Sequence, residues 1–285
     1  MTHAHRNFGD CLYVGETDVW GRLQAVHGSA ELRPVEDEMA RTNRHLPEGW
    51  PIGYEQDWIK RREPKLTLVF EKPDHSRVRM IEYRDSNGVG HLLTRKPSEL
   101  AAYRLWAMLD AGELTVNSIR VIGTLLGCSG TVRQQPARTT RFATGESIEF
   151  MCPERIPSRL RQLIERLHFR ESGMSPLLHA IGIYFETLII HPFDDGNGRL
   201  ARLLFLAALQ QTMGLRAPIY PLGPALAANR EAALKAYHRW EFDDAPLPLV
   251  NFVAASVRAH SRALLSVKPP MESSMTCSGE RTLAR

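Results

Sequence analysis

The chain's capacity for chemistry is concentrated in one run, His191-Pro-Phe-Asp-Asp-Gly-Asn-Gly-Arg-Leu-Ala-Arg202. Within twelve residues it holds a titratable base, two adjacent carboxylates, two glycines and two arginines. Asp194 to Gly198 cannot continue a helix without strain, whereas glycine permits positive φ and close backbone approach. A helix starting at about Asn197 or Gly198 aims its unpaired N–H groups into the loop, where the helix dipole also favours an anion. Gly196, Asn197 and Gly198 are therefore the candidate cradle for phosphate oxygens. Arg199 and Arg202, three apart in the first turn, can add charge-assisted bonds. Asp195 beside such a site suits Mg2+, which keeps waters and takes further ligands from phosphates. His191, neutral or nearly so at pH 7, can accept a proton from an attacking hydroxyl. Phe193 is assigned to the core as the anchor of the loop, and Asp194 to solvent.

The elements that must position these residues are helices. Ser175-Pro176 supplies an N-cap and a first-turn proline, and the segment to Ile190 is apolar almost all round. A helix of that composition is buried, as the centre of a bundle. The run from His191 to Arg202 follows at once, and a second apolar helix continues from about Gly198 to Met213. Upstream, Ser98 is expected to cap a helix to Asp110, ended by Gly112, and Thr115 to Leu126 forms another, stopped by Gly127. Residues 128–153 break the helical rhythm. Within them Arg141, Phe142, Ala143 and Thr144 face Ser147 to Met151 across Gly145-Glu146, which predicts a short hairpin. Ile156 to Phe169 is the next helix, and two more are expected over 223–240 and 246–265.

The first 96 residues differ. Trp20, Trp50 and Trp58 lie there among prolines and charges with weak periodicity, and the elements of residues 13–62 stay unassigned. Lys65–Phe70 and Arg77–Tyr83 are expected strands joined by the turn-rich residues 71–76. Ser86-Asn87-Gly88 is a second turn signal before a third strand at Gly90–Thr94. The expected organisation is an α/β extension over 1–96 that recognises a target or partner, a helical domain over 97–265, and a disordered tail over 266–285.

Composition narrows the function classes. The 285 residues are 43% hydrophobic and 24% charged, with net charge +4 and no concentrated Lys/Arg block, which argues against nucleic acid as partner. Four scattered cysteines, Cys11, Cys128, Cys152 and Cys277, show no zinc-ligand spacing and suit a reducing, cytoplasmic setting. The N-terminus lacks the apolar core of a signal peptide, and no stretch of about 18 apolar residues suggests a membrane span.

The run fits, without a departure, the signature His-x-Phe-x-(Asp/Glu)-Gly-Asn-Gly-Arg-x-x-Arg, and in this the chain resembles the Fic-domain proteins. The resemblance extends over roughly residues 97–265. It implies a mainly α fold, a Fic-type helical bundle with a β-hairpin flap, here preceded by the small α/β extension. It further implies transfer of a nucleoside monophosphate, usually AMP from ATP, to a Ser, Thr or Tyr hydroxyl of a target protein. His191 would then be the base and Asp195 the Mg2+ ligand at the α- and β-phosphates. Gly196, Asn197 and Gly198 would form the anion cradle, Arg199 would bind the β/γ end, and Arg202 would support that pocket. Arg141, Phe142, Ala143 and Thr144 would belong to the flap that holds the target in extended form.

Two features depart from the family. Many members place a tyrosine pair near the adenine where this chain has Ala232-Ala233, so Tyr237 or Trp240 would have to supply aromatic packing from a later turn. Many also carry Ser/Thr-x-x-x-Glu followed by Gly or Asn as a built-in inhibitor. Here only Thr276-Cys-Ser-Gly-Glu280 has the spacing, and Arg281 follows it, so restraint of Arg202 would come from a separate antitoxin-like chain or not at all. The alternatives to ATP-dependent transfer are another donor (UTP, GTP or a phosphocholine nucleotide) or a non-catalytic toxin–antitoxin or binding protein. The setting expected is bacterial cytoplasm, or a host cell reached as a delivered effector.

Overall fold

The computed structural model describes residues 11–28, 32–45, 79–84, 90–95, 97–140, 145–169, 173–215, 220 and 222–266. The expected strand at 65–70, the turns at 71–76 and 86–88, Trp50, Trp58, flap residues 141–144 and the tail beyond Ser266 lie outside them.

In chain order the elements are β1 (Cys11–Tyr13), α1 (Val19–Val26), α2 (Arg33–His45), β2 (Arg79–Arg84), β3 (Gly90–Arg95), α3 (Pro97–Asp110) and α4 (Val116–Leu125). Then come β4 (Arg138–Thr140), β5 (Ser147–Glu149), a 3-10 turn at Pro153–Arg155, α5 (Ile156–His168), α6 (Pro176–Ile190) and α7 (Asn197–Met213). The last three helices are α8 (Leu222–Ala228), α9 (Arg230–Phe242) and α10 (Leu247–Ser266). The fold is mainly α, as the resemblance implied, with two small sheets among the described residues.

The axis of the bundle is α6. Its composition leaves it no polar face, and all its residues but Pro176 and Leu188 are buried. It packs against α7, α5, α1 and α10. At mid-helix Gly182 is needed because a Cβ there would stand 2.6 Å from the ring of Trp20, which crosses from α1. Trp20 and Leu23 of α1, Leu12 of β1 and Val35 and Met39 of α2 share one core with α6 and α7. Residues 11–45 thus pack into the same interior as the helices beyond residue 97.

Several expected boundaries move. The helix placed after Ser98 begins at Pro97, because proline's fixed φ suits a first helical position, so Ser98 lies inside the first turn. Thr115 does cap α4, in a reciprocal pair with Ser118. The single helix expected over 223–240 is two, since Asn229 takes a non-helical φ of −125° between α8 and α9. Near the N-terminal part, Arg79–Arg84 pairs antiparallel with Gly90–Arg95, so the second and third expected strands form a hairpin.

A hairpin forms around the expected turn. Among the described residues its first strand is Arg138–Thr140, with Thr140 opposite Ser147 and Arg138 opposite Glu149. An ion pair between Arg138 and Glu149 fixes that register (Nε to Oε2, 2.7 Å). A third strand comes from the N-terminus: β1 pairs parallel with β5, giving the order β1-β5-β4. Such parallel pairing needs a long crossover, which the intervening chain supplies.

Candidate active site

The end of α6 and the start of α7 bracket the loop. At His191 the chain leaves α6 in the left-handed conformation (φ 47°, ψ 59°), which is rare for a residue with a Cβ. Its N–H still donates to Thr187 O at 3.1 Å. The imidazole lies flat against the Phe150 ring, centroids 3.7 Å apart. Its Nδ1 is 3.3 Å from the carbonyl of Leu188. A carbonyl only accepts, so that contact favours the tautomer protonated at Nδ1, and Nε2 then carries the lone pair.

Phe193 is fully buried, and Gly123 of α4 makes room for it: a Cβ there would stand 2.7 Å from the ring. The side chain of Asn197, also buried, clamps the loop. Its Oδ1 accepts from Phe193 N (2.9 Å) and its Nδ2 donates to Phe193 O (2.7 Å). Asn197 therefore contributes its backbone N–H to the helix start, while its amide is committed to shaping the turn. Gly196 precedes α7 at φ 82°, and α7 begins at Asn197 as the spacing predicts.

Around that helix start His191, Asp194, Asp195, Gly196, Asn197, Gly198, Arg199 and Arg202 line a cup of about 280 Å3. All seven expected chemical residues of the run therefore converge on one space. Asp194, assigned to solvent, is indeed exposed but also lines this cup. Asp195 is 86% exposed and ion-paired to Arg199 (Oδ2 to Nη2, 3.0 Å). An exposed pair of this kind is weak, so its members can be redirected to a ligand. Arg202 is largely enclosed, and burial lowers its pKa while nearby Tyr237 opposes that. Cys128 sits under Gly196, and burial pushes its thiol up to about 11, so it is a packing group and no nucleophile.

A second cavity of about 500 Å3 adjoins the cup and shares His191, Asp194, Gly198 and Arg202 with it. Its walls carry Tyr184, Phe185, Ala233, Leu234, Tyr237 and Trp240 from the helices, and Arg138, Thr139 and Phe150 from the flap. Of the Ala232-Ala233 pair only Ala233 faces it; Ala232 is exposed. Aromatic surface arrives instead from Tyr237 and Trp240, one and two turns further along α9. Phe185 stacks on Trp240 at 4.4 Å, and the hydroxyls of Tyr184 and Tyr237 hydrogen-bond. Glu146, just before β5, pairs with His238 of α9 at 2.8 Å.

Sequence reasoning missed one pair of cavity-lining residues and one buried arginine. Val14 and Thr17, just after β1, also line the large cavity. Arg133, 2% exposed, spends its guanidinium on backbone carbonyls of the loop and flap, donating to His191, Gln135, Met151 and Ile190. Neither had a visible signal, since backbone carbonyls leave no residue pattern to match.

No helix among the described residues is long and apolar enough to cross a membrane. The Fic/DOC family model matches residues 113–209. The protein adenylyltransferase fic-1 of Caenorhabditis briggsae is 32% identical over 81 residues, 28% of this chain and 16% of that protein. Its counterpart in Caenorhabditis elegans is 31% identical over 81 residues, with the same shares. The chain thus spans about a sixth of the length of these relatives. Among solved structures, Fic-1 (residues 134–508) of C. elegans superposes with a TM-score of 0.52 at 18% identity, over 85% of this chain and 73% of that one. At that identity the likeness speaks for the fold alone. Family match, fold and an unbroken motif agree for one part of the chain: residues 113–209, which hold the loop from His191 to Arg202, match the Fic/DOC family, within a fold that Fic proteins share.

Proposed function

We propose that the protein transfers AMP from ATP to a Ser, Thr or Tyr hydroxyl of a target protein and releases pyrophosphate. The observation that carries this reading is the position of His191 where the cup and the aromatic cavity meet, with Nδ1 turned to a carbonyl. Nε2 then takes the hydroxyl proton as the oxygen attacks the α-phosphorus. One P–O bond forms, the bond to the bridging oxygen toward the β-phosphorus breaks, and pyrophosphate leaves with the electron pair. The N–H groups at the start of α7, with Arg199 and Arg202, offset the charge that develops on the phosphate oxygens. The base lies against Tyr237, Trp240 and their neighbours. The name of the C. briggsae and C. elegans relatives, protein adenylyltransferase, supports the same donor.

Among the described residues no cluster of three or more His, Cys, Asp or Glu side chains forms a metal cage. The exposed carboxylate of Asp195 beside a helix start suits instead a cation held chiefly by the nucleotide's phosphates. Asp195 would hold Mg2+, which would supply neutralisation of phosphate charge, and Arg199 would then be available to the β/γ end. The target's extended segment adds to the outer edge of β4, because β1 already occupies the other side of β5.

Incubation of the full chain with Mg2+ and each α-labelled nucleotide in a cell lysate tests the reading. Label transferred from ATP, and lost in His191→Ala that still binds nucleotide, is the expected result. Transfer from UTP, GTP or a phosphocholine nucleotide alone replaces the donor. An absence of both transfer and binding removes the enzyme reading and leaves a binding or toxin–antitoxin protein.

A further inference from the structure

A helix leaves its last carbonyls without intrahelical partners, and at the end of α6 each one is accounted for. Thr187 O accepts from the N–H of His191, and Leu188 O faces His191 Nδ1. Ile189 O accepts from the N–H of Met151, just beyond β5 (3.2 Å). The remaining two belong to Arg133. Its Nη2 reaches Ile190 O (3.5 Å) and also donates to Met151 O, and its Nε donates to His191 O at 2.7 Å. Nη1 donates to Gln135 O (2.7 Å), and the backbone N–H of Arg133 donates to Pro192 O (2.9 Å). One buried guanidinium therefore ties the carbonyl of His191, the end of the helix before it and the end of the flap strand into a single joint.

We infer that Arg133 is a positioning residue for the reaction: it holds His191 in its left-handed backbone conformation and fixes the flap to that base. This rests on the reading of His191 as the base. The geometry gives the reason an arginine is used. A planar fork can satisfy carbonyls from three segments at once, and its charge complements the negative end of the α6 dipole. A left-handed non-glycine residue persists only where its surroundings over-determine it, and here the bonds to Ile190, His191 and Pro192 do so. The phosphate cup is held separately, by the Asn197 clamp and the start of α7. Loss of Arg133 should thus misplace the base and leave the nucleotide's seat.

The test compares the full-length wild type, Arg133→Ala, Arg133→Lys and His191→Ala. Initial rates of label transfer from α-labelled ATP into lysate protein are measured at varied ATP, with melting curves to count folded molecules. Hydrogen exchange of the peptide covering 187–193 is measured in parallel. Per folded molecule, Arg133→Ala should lose about 100-fold in kcat, the scale of an ångström's misplacement, with KM for ATP within about twofold of wild type. Exchange at 187–193 should rise while peptides from α7 stay as they are. Millimolar guanidinium should restore part of kcat to Arg133→Ala and none to His191→Ala. If Arg133→Ala does not fold, Arg133→Lys decides: it keeps the charge without the fork and should sit between wild type and loss in both kcat and exchange. Unchanged kcat in folded Arg133→Ala, a KM rise matching the kcat loss, or wild-type behaviour of Arg133→Lys in both readouts overturns the inference. A wild type that transfers nothing sinks the functional reading instead, and the exchange at 187–193 then decides the positioning role alone.

Discussion

Gly196 shows how little freedom the loop leaves a single residue. Its φ of 82° already disfavours any side chain, and a Cβ at this position would run into the sulfur of Cys128. Gly196→Ala should destabilise the fold by about 1–3 kcal/mol, combining left-handed backbone cost with displacement of a packed neighbour. Chemical denaturation measures it. Because the clash has a named partner, Cys128→Ala in the same chain should recover the steric part and leave the backbone part. No recovery would mean that the sulfur is not what limits the site. Asp195 offers the complementary case. It is exposed and, among the described residues, paired to Arg199 alone, so Asp195→Ala should leave the melting temperature within a few degrees while abolishing Mg2+-dependent transfer. A variant that keeps its Mg2+ dependence would remove Asp195 from the metal.

At the scale of elements, α1 is held to α6 by a buried polar contact as well as by packing. Trp20 Nε1 donates to Glu186 Oε2 at 2.7 Å, and Arg159 reaches Oε1 of the same fully buried carboxylate at 3.0 Å. The Arg166 guanidinium lies over the Trp20 ring, 4.4 Å from its centroid. Trp20→Phe keeps most of the apolar area but removes the donor from a buried anion, so it should cost about 1–3 kcal/mol. A double-mutant cycle with Glu186→Gln should show the two losses coupled; additive losses would assign the effect to packing alone. None of this was legible in the chain. An apolar run between a serine-proline start and a glycine-rich stop announces α6 and α7, because composition and caps are local properties. Trp20 finding Glu186, β1 finding β5, and Arg133 finding three carbonyls are pairings between distant segments, and the last involves acceptors that every residue has. The motif from His191 to Arg202 was legible for the opposite reason: its chemistry needs particular side chains at fixed spacing. Even there Asn197 looks like a ligand in sequence and serves as a clamp in the fold.

For the molecule as a whole, the interface of α2 with α10 closes the chain on itself and sets a response to acid. Glu38 of α2 accepts from Arg258 and Arg262 of α10, and Ser261 donates to the hydroxyl of Tyr220. His260 lies in this seam with the Tyr220 ring edge-on at 5.9 Å, and burial pushes its pKa from 6.5 down to about 4. Between those values the unfolded chain binds a proton at this residue and the folded chain does not. Stability contributed here is complete above pH 6.5 and is lost as the pH falls towards 4. Glu186 works in the other direction: burial raises its pKa against the pull of Arg159, so the folded state holds that proton more readily and gains from mild acid. Because the two opposing groups lie on different interfaces, they can be separated by mutation. His260→Leu should flatten the loss of unfolding free energy between pH 6.5 and about 4.5, while Glu186→Gln should leave that loss steeper than in wild type. Urea titrations at three pH values across this window measure both slopes. Parallel slopes in wild type and His260→Leu would place the acid sensitivity elsewhere in the molecule.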